Sequence, residues 1–299
     1  MPFVEIVPMA KRKLHFLELT APAKVNLTLR IHGKRDDGFH GVTTRMCRLS
    51  LGDEIVMHRL EDHSPVEFTC SDPTLSTGEE NLVMRALRAL EIHTGQAFPV
   101  RIELRKFIPS AAGLGGGSSD AATTLMGLNR LFDLHLDTAV LGHIAATFGS
   151  DIPFFLHENT CDCSGRGEQI EVVPFPWELP IVLAKPGFGV SAGEAYQRWA
   201  SAAEIPGIFY GSQWCPWGEM INDLERPVFS KYLILARLKA WFLSQLDVQA
   251  ALMCGSGSTV MAIPRRFDCL GQIEERLRET FGEDLWIWTG HTLASGAAG

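Results

Sequence analysis

The stretch best equipped for chemistry is residues 109–125, PSAAGLGGGSSDAATTL, where four of the five residues from Gly113 to Gly117 are glycine. Glycine lets main-chain N–H groups approach a ligand with no Cβ in the way. A helix starting at Ser118 to Asp120 would add unpaired donors and a partial positive charge. Together these features predict a cradle for the phosphates of a nucleotide. A flexible linker is the plain alternative, but linkers have polar, patternless flanks and this loop does not. A P-loop is excluded because no Gly-Lys follows the glycines. A dinucleotide fingerprint fails here because Ser118 stands where its last Gly or Ala belongs. A looser match at Gly187-Phe-Gly189 lacks the acidic residue that should end a second strand.

The elements around the loop must position it. PVRIELRKF alternates Val100, Ile102 and Leu104 with Arg101, Glu103 and Arg105, which predicts a strand ending near Phe107. Ala121, Ala122, Leu125, Leu128 and Phe132 follow at helical spacing, with Ser118, Ser119 and Asp120 as N-cap or first-turn residues. KVNLTLRI is a second alternating strand: Val25, Leu27, Leu29 and Ile31 face one way, and Lys24 and Asn26 share the opposite face. MCRLSLGDEIVMHRL predicts strands broken at Gly52-Asp53. ENLVMRALRALEIHTG predicts a helix stopped by Gly95. DTAVLGHIAATFG predicts another, with Gly149 as its C-cap. The second half predicts a strand over IVLAK, helices over KYLILARLKAWFLSQ and near CLGQIEERLRETFG, and a strand-turn-strand over ALMCGSGSTVMAI. Strands and helices mix without βαβα regularity, so the expected class is α+β with two domains. The expected division is an extension over 1–17, a nucleotide-binding and catalytic domain over 18–170, and a second domain over 171–299.

Bulk properties narrow the field. With 299 residues and 46% hydrophobic content the chain has material for real cores. Its formal net charge of −8 argues against nucleic acid as a partner. No apolar run approaches the length of a membrane span, and the N-terminal basic run follows rather than precedes a short, proline-broken apolar stretch. Seven scattered cysteines predict free thiols and a cytoplasmic setting, and Cys161-Asp-Cys163 lacks the second ligand pair of a metal site.

PSAAGLGGGSSDAA resembles the glycine motif of the superfamily of galactokinase, homoserine kinase, mevalonate kinase and phosphomevalonate kinase. APAKVNLTLRI and MCGSGSTVMAI resemble that superfamily's N-terminal and C-terminal motifs. Within it the chain resembles the 4-diphosphocytidyl-2-C-methyl-D-erythritol kinase family. APAKVNL, GKRDDGFH, GDEI, GLGGGSSDAA, GSDIPFFL, GRGE and NDLE follow that family in order, from about residue 20 to about residue 290.

The resemblance implies a two-domain kinase fold with the active site in the cleft between domains. It also implies transfer of the ATP γ-phosphate to the 2-hydroxyl of a cytidine-diphosphate-linked polyol, in the non-mevalonate route to isoprenoid precursors. It assigns Asp151 as the candidate base and Lys24 as the catalytic lysine. The ATP phosphates are expected on Pro109, Ser110, Ala111, Ala112, Gly113, Leu114, Gly115, Gly116, Gly117, Ser118 and Ser119. Mg²⁺ is expected with ATP, and Ser119 is the metal contact. Asn26, Phe39, His40, Lys185 and Tyr196 are expected at the substrate. Phe39 stands where the family commonly has Tyr, so an aromatic face survives and a hydroxyl is lost. Ala192 stands where many relatives have Thr, and Cys254 where Ser or Thr is common. The expected partner is a small molecule, with no nucleic acid and no membrane, bound by a monomer or weak homodimer. Two other readings are another small-alcohol or sugar kinase of the superfamily, and a nucleotide-binding protein without catalysis. DGFH argues against the first; the intact Lys24 and Asp151 argue against the second.

Overall fold

A computed structural model describes residues 14–294. In chain order the first half runs β1 (Phe16–Lys34), β2 (His40–Arg59), β3 (Glu67–Cys70), α1 (Leu82–Thr94), β4 (Val100–Arg105), α2 (Gly116–Leu131), α3 (Thr138–Ala146), β5 (Cys161–Ser164) and β6 (Gln169–Val172). The second half runs β7 (Pro180–Lys185), α4 (Ala192–Arg198), β8 (Gln213–Cys215), β9 (Gly218–Asn222), α5 (Glu225–Phe229), α6 (Leu233–Ser244), β10 (Val248–Met253), β11 (Val260–Pro264), α7 (Leu270–Phe281) and β12 (Trp286–His291). Most of the expected N-terminal extension lies outside the described residues; Phe16 and Leu17 already belong to β1.

The strands form two sheets. The larger has the order β3-β4-β2-β1-β9-β8, with β5 beside β2 and β6 beside β5. The smaller has the order β10-β11-β7-β12. The mixed α and β class is therefore as expected. Residues 213–222 return to the larger sheet, where β9 runs parallel to β1 with Leu29 opposite Asn222.

Three apolar clusters account for the layers. Helices α1 and α2 pack on the larger sheet through Leu87, Leu90, Ala121, Leu125 and Leu128 against Ile55, Ile102 and Leu104, and α3 packs beside them. The two sheets meet through Val25, Leu27 and Leu49 against Ile181, Leu183, Leu252 and Met261. The far face of the smaller sheet, Val182, Ala184 and Ala251, packs on Phe229, Leu238, Phe242, Ile273 and Leu277 of the helices behind it. All six residues of β7 are buried. That explains why IVLAK reads as a continuous apolar run rather than an alternation: both of its faces are covered.

Three local expectations are corrected. β2 is not broken at Gly52-Asp53, because the antiparallel ladder to β1 continues through it with Pro22 opposite Gly52 and Ala21 opposite Asp53. Helix α2 begins at Gly116 with Gly115 as its N-cap and no side-chain cap, so Ser118, Ser119 and Asp120 lie inside the first turns. The Asp120 carboxylate is drawn away to Lys106 instead of folding back on the helix start. Helix α3 ends at Ala146, ahead of Gly149, because Thr147 caps it with its own hydroxyl on the Ile144 carbonyl.

Candidate active site

Lys24 leaves the apolar face of β1 at Val25 and Leu27 to the inter-sheet core and turns to the other side. Its main-chain N–H donates to the Leu114 carbonyl at 2.9 Å, which ties β1 to the glycine loop. Its Nζ donates to Asn26 Oδ1 at 2.8 Å, Asn26 Nδ2 donates to Thr44 Oγ1 at 2.7 Å, and that hydroxyl donates to the Thr28 carbonyl at 2.6 Å. The chain of bonds fixes both the lysine and the asparagine, as the alternation of KVNLTLRI predicts. Lys24 Nζ lies 3.6 Å from Asp151 Oδ2; the lysine side chain is 5% exposed and the aspartate 41%. The fully buried Ile152, Phe154 and Phe155 that follow Asp151 anchor its turn, so only the carboxylate faces the opening.

Two cavities meet at this point. The first, of about 460 Å³, is lined by Lys24, Asn26, Phe39, His40, Thr44, Asp151, Arg166, Ala192 and Tyr196. The second, of about 470 Å³, is lined by every residue from Pro109 to Ser118, with Lys106, Asp120, Asn81 and Leu82 around them. Gly113 and Gly115 line both. The loop is thus a shared wall between one cavity built from main chain and one built from side chains.

The glycine loop is clamped between the two sheets. Gly113 has φ +78°, and a Cβ there would lie 2.0 Å from the Cys254 carbonyl oxygen. Both the left-handed backbone and the close approach demand glycine. The first helical bond of α2 runs from Ser119 N–H to Gly115 O at 2.9 Å. The N–H groups of Gly116, Gly117 and Ser118 precede it and are therefore open to an anion.

Behind the loop stands a buried charged triad that sequence reasoning did not find. Lys106 Nζ donates to Asp120 Oδ2 at 2.7 Å and to Asp53 Oδ2. Asp53 Oδ1 also accepts the N–H groups of Phe107 at 2.6 Å and Ile108 at 2.9 Å, which fixes the entry to the loop. Burial pushes the Asp120 carboxyl up to about 7; Lys106 opposes the rise and Asp53 adds to it. GDEI contains Asp53 and GLGGGSSDAA contains Asp120, but their pairing through Lys106 needs three separate elements.

At the other end, the His40 ring stacks on Tyr196 with centroids 5.6 Å apart and planes at 25°. The Arg166 guanidinium stands 4.9 Å over the Phe39 ring, which is itself 51% exposed. Desolvation and the nearby Asp151 charge push the Tyr196 phenol above the ordinary tyrosine range. Arg166 and Thr44 are wall residues that the sequence did not single out, although GRGE contains the first of them. Lys185 lies outside the lining of both cavities: its Nζ donates to the Pro186 and Phe188 carbonyls at 3.0 Å each. It shapes the turn that brings Gly189 against Ala111 of the glycine loop.

Ser119 also lies outside the lining, and its hydroxyl is buried with no hydrogen-bond partner among the described residues. Among those residues no group of three or more His, Cys, Asp and Glu is arranged to hold a metal ion. The seven cysteines are free, Cys161 and Cys163 included.

Comparison with known proteins decides the lineage. The GHMP kinases N-terminal domain matches residues 81–159, and the GHMP kinases C-terminal domain matches residues 212–283. The 4-diphosphocytidyl-2-C-methyl-D-erythritol kinase of Methylacidiphilum infernorum is 39% identical over 280 residues, covering 91% of this chain and 96% of the relative. The chain belongs to the 4-diphosphocytidyl-2-C-methyl-D-erythritol kinase family. A crystal structure of a 4-(cytidine 5′-diphospho)-2C-methyl-D-erythritol kinase superposes with a TM-score of 0.77 at 32% identity, covering 94% of this chain and all of the other. The homoserine kinase of Cytophaga hutchinsonii superposes with a TM-score of 0.69 at 16% identity, which shows the shared fold alone. Among the described residues no helix is long and apolar enough to cross a membrane.

Proposed function

We propose that this member of the family transfers the γ-phosphoryl group of ATP to the 2-hydroxyl of 4-diphosphocytidyl-2-C-methyl-D-erythritol, with Asp151 as base and Lys24 as its electrostatic partner. The observation that carries the assignment of roles is the meeting of the two cavities at Gly113 and Gly115, with Lys24 and Asp151 beside the junction. Phosphoryl transfer asks a protein mainly for positioning and charge stabilisation. The donor phosphates lie along the N–H groups of Gly116 to Ser118. The acceptor lies in the side-chain cavity with its 2-hydroxyl at Asp151.

The step is then an in-line displacement. The acceptor O–H proton passes to Asp151, the acceptor oxygen bonds to the γ-phosphorus, and the bridging P–O bond to ADP breaks. Lys24, 3.6 Å from Asp151, offsets charge on the attacking oxygen. Asn26 keeps the lysine from swinging into the phosphates. Phe39, His40 and Tyr196 supply aromatic faces for the cytosine ring, and Arg166 is held by Phe39 where the cytidine diphosphate enters. Mg²⁺ arriving with ATP would neutralise charge on the transferring group. Ser119 is the expected contact for the ion, but its unpartnered hydroxyl is fully buried outside both cavities and would have to turn toward the donor to touch it.

The test is a substrate panel with ATP and Mg²⁺. Turnover on 4-diphosphocytidyl-2-C-methyl-D-erythritol, and none on homoserine or mevalonate, is expected. Turnover on either of the latter in its place overturns the assignment.

A further inference from the structure

The NDLE segment, residues 222–225, plays no part in the chemistry above, yet Asn222 and Glu225 are 3% and 1% exposed. Their partners explain the burial. Asn222 Nδ2 donates to two carbonyls at once, Met253 at 2.8 Å and Gly255 at 2.7 Å. Its Oδ1 accepts the Leu224 N–H at 2.9 Å. Glu225 Oε1 accepts the Met253 N–H at 3.0 Å, and its Oε2 pairs with Lys239 Nζ at 2.5 Å. Both amide protons and the carbonyl of Asn222 are therefore used, and only an amide offers two donors and an acceptor in that space.

The loop these bonds hold, residues 254–258, presses on the reaction centre. Gly255 has φ +53°, and a Cβ there would lie 3.3 Å from Lys24 Nζ, 3.5 Å from Asn26 Oδ1 and 3.1 Å from Gly113 O. The Cys254 carbonyl in turn abuts Gly113. Asn222 itself sits opposite Leu29 on β1, the strand that carries Lys24. A continuous set of contacts thus runs from Asn222 through Gly255 to the lysine and to the wall shared by both cavities.

We infer that Asn222 is a positioning residue for phosphoryl transfer: its amide seats the 254–258 loop so that Gly255 sets Lys24 against Asp151 and Gly113 against the donor. Asn222 touches neither substrate in this arrangement. Its loss should act on the reaction rate more than on either binding step.

The inference rests on the kinase reading above, and the unmodified chain assayed in parallel separates the two, since its failure to turn over would defeat that reading alone. The experiment compares Asn222→Asp, Gly255→Ala and the double variant in the full chain, with kcat and both KM values measured per folded protein. Asn222→Asp replaces two donors by an acceptor facing two carbonyls. Its kcat should fall about tenfold to a hundredfold, the range for an ångström-scale misplacement of reacting groups, with each KM moving less than about threefold. The double variant should lose much less than the product of the single losses, because both changes displace one loop from one lysine. A kcat within about threefold of the unmodified chain, or losses that simply multiply, overturns the inference. Where the aspartate variant does not fold, Asn222→Ala deletes the donors without adding charge and is read by the same two results.

Discussion

The two cavities that meet at Gly113 and Gly115 are close in size but opposite in construction. The side proposed for the donor is mainly glycine loop and helix start, whose N–H groups would bind the phosphates of any nucleoside triphosphate. The side proposed for the acceptor is a set of individually oriented side chains, among them Asp151, Phe39, His40 and Tyr196. Main chain suits a ligand whose charge is the same in every substrate of a large superfamily. Side chains suit a ligand that must be told apart from relatives. The contrast predicts that damage to the donor wall weakens folding and nucleotide binding together, whereas damage to the acceptor wall leaves the fold intact and moves chemistry or selectivity.

The sharpest break in that contrast is Asp151→Ala. Removing a positioned base should lower kcat roughly a thousandfold, with ATP affinity by titration unchanged. A parallel loss of ATP affinity would mean that the two sides are not separable at Asp151. Gly113→Ala is the donor-side counterpart. A side chain there meets the Cys254 carbonyl and a left-handed backbone. Unfolding by denaturant should show a loss of about 1–3 kcal/mol from the backbone alone, more with the clash, and ATP binding should weaken with it.

Tyr196→Ala should raise KM for the cytidine-linked substrate about tenfold, the worth of a stacked base, while KM for ATP stays put; some thermal stability is lost with the ring's packing on the core. Tyr196→Phe, which keeps the ring, should restore the acceptor KM; if it does not, the hydroxyl rather than the face is what binds. A further effect is expected on pH dependence. Asp120 holds its proton to about 7 in the folded chain against 3.8 ordinarily, because burial disfavours its charge. The folded chain therefore binds the proton more tightly than the unfolded one. The stability this contributes is complete below about 4 and lost as pH rises through about 7. In Asp120→Asn that descending arm should flatten, read as thermal midpoint against pH with the unmodified chain alongside.

Legibility in the sequence followed the range of the interactions. Where one element carries its own signal, the elements were legible: alternation put Lys24 and Asn26 on one face of β1, helical spacing found the buried face of α2, and the patterned flanks of the glycine run are a strand and a helix. The misreadings were local too. Gly52-Asp53 has the composition of a turn, but the ladder to β1 runs through it and Asp53 is used elsewhere. Ser118 to Asp120 have the composition of a helix cap, but Gly115 already starts the helix and Lys106 takes the aspartate.

By itself the sequence determined the class of fold and, through its ordered motifs, the family. The tertiary structure alone decided which of them meet. It brought Lys24 within reach of Asp151 and set the turn after β7 against the glycine loop. It placed Arg166 over Phe39 and seated a second glycine loop on the lysine through Asn222. The physical reason is that periodicity and capping are written within a few neighbouring residues. The Lys24–Asp151 pair and the backbone contact at Gly113 join chain segments more than a hundred residues apart, and only packing fixes the distance between them.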